Sequence, residues 1–158
     1  MIKLIKIHLN ESEAFHAALA GIQRRLQGIF TLGRSDKHGF DGLGWDIDIE
    51  GAGAEIAACN ALKIPWTHAV KIVADPSKLE GDIAPGVEVR HTVTHSNSLI
   101  LHPEDKDDYS YLLVTGKMPN YVVRGWLKAR DGKKDKYWRT DVREPAYFIP
   151  QSDLNLID

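Results

Sequence analysis

Apolar and polar positions alternate along this chain in two rhythms. Residues 2–9 switch at every second position (Ile2, Leu4 or Ile5, Ile7, Leu9), the period of a half-buried strand. Asn10 or Ser12 can cap a helix, and Phe15, Ala18, Leu19, Ile22, Leu26 and Ile29 then recur at helical steps. That stripe predicts an amphipathic helix with the apolar face turned inward and Arg24 and Arg25 largely outside it. Residues 33–44 hold four glycines with Asp and Ser and are expected to form a mobile loop.

A second helix is predicted over about 46–62. At 100° per residue Ala52, Ile56 and Cys59 share an arc, and Glu55 falls beside Cys59 and Leu62. A carboxylate on that small-residue flank is expected to be partly buried, which costs free energy unless a cation or hydrogen bonds compensate. Strands follow over about 86–94, 98–102, 110–115 and 121–129, separated by turn signals at His-Pro-Glu-Asp, Thr-Gly-Lys-Met-Pro-Asn and Asp-Gly-Lys-Lys. Ala146 to Ile149, between Pro145 and Pro150, reads as a short last strand, and Gln151 to Leu154 as a helical turn. No repeat, low-complexity tract or linker interrupts the 158 residues, so they read as one α/β domain, helices first and sheet after.

Composition narrows the class. Hydrophobic residues at 43% and charged residues at 27% suit a packed core and argue against disorder. The single Cys59 excludes an internal disulfide and a zinc site built on several thiolates, and fits a reducing cytoplasm. The first residues are too short and too charged a stretch for a signal peptide or membrane span, so a soluble protein is expected. The net charge of -2 is unevenly spread. From Lys117 to Arg143 nine Lys and Arg face three Asp, whereas Glu104 to Asp108 places four carboxylates around Lys106.

The chemistry concentrates between Gly81 and Arg90. Asp82 stands in a turn, and Glu88 and Arg90 alternate with Val87 and Val89, so the charged pair faces one way and the valines the other. Hard oxygen ligands of this kind suit Mg²⁺: Asp82, Glu88 and the Val89 carbonyl, with Glu55 able to join them. A metal held there polarises a phosphate and acidifies an attacking water, while Arg90 stabilises charge on the phosphorane. The plainer alternative is a turn aspartate followed by a solvated strand face.

The order helix-Glu, turn-Asp, strand-Glu-x-basic resembles the PD-(D/E)XK nuclease superfamily, and within it an uncharacterised group of phage and prophage proteins. The residues that carry the resemblance are Gly44-Trp45-Asp46, Ile49-Glu50-Gly51-Ala52, Glu55, Val87-Glu88-Val89-Arg90, Asp107-Asp108, Leu113-Val114-Thr115-Gly116, Gly125-Trp126 and Pro145 to Gln151. The resemblance implies a restriction-endonuclease-like core with a central mixed sheet flanked by helices. It implies Asp82 and Glu88 as metal ligands, Glu55 as accessory acid and Arg90 in place of the motif lysine, with Mg²⁺ or Mn²⁺ as cofactor. Two positions depart from the motif: Gly81 replaces its proline, and Arg90 cannot exchange a proton near neutral pH.

Lys117, Arg124, Lys128, Arg130, Lys133, Lys134 and Arg139, interleaved with aromatic residues, are the candidates for holding a nucleic-acid backbone, or else form a solvated hairpin. His91 and His95 could touch a phosphate or metal but equally suit a strand surface. Trp45 and Trp126 are expected in the core. The expectation is a Mg²⁺-dependent nuclease acting on DNA in phage or prophage DNA metabolism, with a homodimer suggested by the superfamily. Two other classes stay open: a catalytically silent nuclease-fold module binding DNA or protein in phage counter-defence, and a structural protein of a phage-like particle.

Overall fold

A computed structural model describes residues 4–32, 44–67 and 81–158. The loop expected over 33–44 falls outside them except for Gly44. Elements run in the order β1 (Ile5–His8), α1 (Glu11–Gln27), a π-helical turn (Gly28–Leu32), α2 (Trp45–Leu62), β2 (Val87–Thr92), β3 (Leu99–Leu101), β4 (Ser110–Lys117), β5 (Asn120–Lys128), the single turn α3 (Ala129–Gly132), β6 (Trp138–Arg139) and β7 (Ala146–Ile149). Asn10 caps α1 in a capping box: its side chain accepts from the Glu13 amide, and the Glu13 carboxylate accepts from the Asn10 amide. The two-residue β6 carries too little alternation to be seen in the sequence.

The main sheet is mixed, in the order β1-β5-β4-β2, with β2 parallel to β4 and the other pairs antiparallel. A second antiparallel sheet runs β3-β7-β6. Strand β4 alternates between two cores. Leu112 and Val114 join Leu9, Ala17, Ala20, Ile56, Tyr121 and Val123 under α1 and α2. Tyr111 and Leu113 pack with Leu99, Leu101, Leu127 and Ile149 beneath the second sheet. Helices therefore cover one face of the mixed sheet and the small sheet covers the other. Trp126 packs against the helical core, as expected of it. Its backbone exchanges two hydrogen bonds of 2.9 Å with Asn155.

The expected orientation of α1 is corrected. Its buried residues are Ala17, Ala20 and Gly21, which meet the Gly/Ala-rich α2. Arg24 and Arg25 turn toward α2, whereas Phe15, Leu19, Ile22, Leu26 and Ile29 face outward. Small residues win the contact because they let two helix backbones approach closely. A Cβ at Gly21 would lie 2.5 Å from the backbone of Ile49.

Glu50 ties α2 to the β4–β5 turn, its carboxylate accepting from the buried Tyr121 hydroxyl (2.7 Å) and the Met118 amide (3.0 Å). Glu50→Ala strands both donors, and a loss of about 2 kcal/mol is expected in chemical denaturation. Tyr121→Phe should cost less, because it removes a donor and leaves the amide paired.

Candidate active site

The turn at Gly81 folds back on the outer edge of β2. Gly81 has φ +130°, and a Cβ there would lie 2.2 Å from the Ala84 carbonyl, so the turn needs glycine. The Asp82 amide donates to the Val87 carbonyl (2.8 Å) and the Val87 amide to Ala84 (3.0 Å). The Asp82 carboxylate accepts from the Val89 amide at 2.9 Å. Because the N–H and C=O of one strand residue point the same way, the Val89 carbonyl also faces this edge, beside Asp82.

Glu88 and Arg90 project to the face opposite the helices, in register with Tyr111 and Leu113. Val87 and Val89 pack toward α2. The Arg90 guanidinium donates to Asp105 (2.7 Å) and lies 4.9 Å from the centroid of the Tyr111 ring, while its Nε is buried with no hydrogen-bond partner. Burial, and then the Asp105 charge, push the Tyr111 hydroxyl up to about 12. A cavity of about 230 Å³ opens here between Glu88, Arg90, Glu104, Asp105 and Tyr109. Arg90 also borders a larger cleft of about 510 Å³ between β2 and the second sheet, lined by Thr92, His102, Arg143 and Phe148.

Glu55 comes from the helical side. It is 6% exposed, and the compensation its burial requires comes from Arg24 and Trp66. Arg24 donates to both carboxylate oxygens (2.9 and 2.8 Å), and the Trp66 indole N–H donates to one of them (3.1 Å). Burial still outweighs Arg24 and holds the Glu55 carboxyl above its ordinary range, with the Asp82 charge adding to the rise. Burial first, and Glu55 second, push the neighbouring Cys59 thiol up to about 11.

The four residues of the candidate site thus surround the outer edge of β2 from two sides. Asp82 sits at the edge, within electrostatic range of Glu55 on the helical face, while Glu88 and Arg90 occupy the other face. Among the described residues no three His, Cys, Asp or Glu gather into a group that could hold a metal ion. In type, the Asp82 and Glu88 carboxylates and the Val89 carbonyl are the hard oxygens that Mg²⁺ takes. Glu55 fits that role less well, since Arg24 holds both its oxygens.

The basic candidates do not form one patch. Lys117 and Lys128 lie at opposite ends of the paired strands β4 and β5, roughly 25 Å apart at strand rise. Arg130 pairs with Asp108, Arg139 with Asp141, and Lys133 with Asp107 and the Pro103 carbonyl. Arg124 braces Thr115 and His95. Lys128, Arg130, Lys133 and Lys134 share the end of the sheet where β2 begins, since Ser110 registers with both Lys128 and Val87. His91 donates to the Gly116 carbonyl (2.8 Å), and His95 Nδ1 meets the Thr115 hydroxyl (3.0 Å), so both have structural partners.

Arg24, Trp66 and Asp105 were not anticipated. Arg24 carried the one usable signal, a cation off the apolar stripe at a helical step that could reach a buried acid. No protein-family model matches the chain, and no curated protein or solved structure is found similar to it. No helix among the described residues is long and apolar enough to cross a membrane.

Proposed function

We propose that the chain is a PD-(D/E)XK-like, Mg²⁺- or Mn²⁺-dependent nuclease acting on DNA in phage or prophage DNA metabolism, with its site at the outer edge of β2. The observation that carries this reading is the Asp82 carboxylate, fixed by the Val89 amide beside the Val89 carbonyl and one residue from Glu88. Asp82 and Glu88 would hold the metal, which when bound polarises the phosphate and acidifies a water. Glu55, held by Arg24 and Trp66 on the helical side, would add negative potential near Asp82. Arg90 supplies positive charge to the phosphorane and moves no proton. Lys128, Arg130, Lys133 and Lys134, at the same end of the sheet, would hold the phosphate backbone as it enters.

The test is a Mg²⁺ and Mn²⁺ titration with plasmid and single-stranded DNA. Cleavage is expected in wild type. Asp82→Asn should weaken metal binding by at least about tenfold and cleave correspondingly less, with DNA affinity unchanged. A folded protein that leaves every substrate intact overturns the nuclease reading.

A second reading has its own support. Glu55 clamped by Arg24 and Trp66, and Arg90 held by Asp105, suit a nuclease fold retained as a silent module binding DNA or protein in counter-defence. Metal-independent DNA affinity without cleavage would favour it.

A further inference from the structure

We propose that α1 is the interface of a homodimer, two copies pairing antiparallel through its outward apolar seam. Phe15, Leu19, Ile22, Leu26 and Ile29 follow one another at steps of four, three, four and three, the spacing of a helix–helix seam, and Phe30 extends it. All six are exposed, from 39% at Ile22 and Leu26 to 63% at Phe15 and 83% at Phe30. Only Glu11, Ser12, His16 and Gln23 share the solvent side of α1 with them. The narrow 4–3 stripe suits a second helix as its occupant. The absence of exposed Lys or Arg on this side of α1 argues against an anionic membrane surface.

A second copy of α1 satisfies the seam. About Ile22 the pattern is nearly palindromic, so antiparallel pairing sets Phe15 against Ile29 and Leu19 against Leu26 of the other copy. The first turn of α1 carries Glu11 and Glu13 and the last turn Arg24 and Arg25. Arg24 and Arg25 are turned to α2 and held by Glu55 and Asp48. It is therefore the helix dipoles that favour antiparallel pairing, each positive N-terminal end lying beside the negative C-terminal end of the other copy. At roughly 200 Å² per large apolar side chain the six expose about 600 Å² per copy, so pairing that covers them fully removes at most about 1,200 Å², the lower end of the standard interface range.

Sedimentation equilibrium of the full chain should give a dimer, and Leu19→Glu combined with Leu26→Glu a monomer with unchanged circular dichroism. Cross-linking fixes the geometry without charge substitutions. Ile22→Cys should form a covalent dimer on oxidation, since the buried Cys59 cannot compete. Phe15→Cys mixed with Ile29→Cys should link to each other and neither to itself. A wild-type monomer overturns the proposal, including one recovered on phosphatidylglycerol vesicles, and self-linking of Phe15→Cys overturns the antiparallel pairing.

Discussion

Arg24→Met is expected to lower stability by about 3–5 kcal/mol at neutral pH, the cost of stranding one member of a buried ion pair. Glu55 then loses both hydrogen bonds from the guanidinium and keeps only the Trp66 indole. The loss should depend on pH in a defined direction. The folded Glu55 carboxyl already lies above its ordinary value because burial dominates. A raised folded value means that the contribution of Glu55 to stability is full below the unfolded pKa and is lost as pH rises through the folded one. Removing Arg24 raises the folded value further and extends that window upward. The gap in melting temperature between Arg24→Met and wild type should therefore be widest near neutrality and narrow on acidification. Adding Glu55→Met should recover most of the loss, since an apolar pair of similar volume needs no compensation. A gap that does not change with pH would sink this account of the pair.

Gly21→Val should cost about 3 kcal/mol, at the upper end of overpacking, because the obstruction is backbone rather than a yielding side chain. Gly21→Ala makes a useful comparison. Alanine gains about 1 kcal/mol in helix propensity, yet its Cβ meets the same Ile49 backbone at 2.5 Å. The steric cost is the larger effect, so alanine should also destabilise, by less than valine. Urea unfolding with an unchanged m-value would show both as losses of native packing. A neutral or stabilising Gly21→Ala would mean that the helices are spaced more widely.

Where local pattern decided the outcome, the sequence was informative. The Asn10 cap, the span of α2, every strand except the two-residue β6 and the need of Glu55 for a cation all follow from spacing and burial logic. Less was legible where contact depends on the identity of the neighbour. The apolar stripe of α1 said that those residues want cover, but nothing local said that α2 would take Ala17, Ala20 and Gly21 instead. The parallel pairing of β2 with β4 leaves no mark on either strand. The site divides the same way. Alternation placed Glu88 and Arg90 on one face, whereas the capture of Arg90 by Asp105 joins segments fifteen residues apart through a turn.

The fold-back at Gly81 has a consequence for how the chain behaves in company. A strand at the border of a sheet offers its unused amides and carbonyls to any other chain, and such borders seed aggregates. Here the Asp82 amide, the Ala84 carbonyl and the Asp82 carboxylate occupy both polar groups of Val87 and the amide of Val89. The chain thereby covers the first part of its own border against strand-to-strand growth, and the aspartate takes part in that cover whatever chemistry it performs. Removing its side chain altogether would uncover an amide as well as a carboxylate site, and the protein could be lost to precipitation before any activity is measured. Asparagine keeps an oxygen facing Val89 and avoids that confusion.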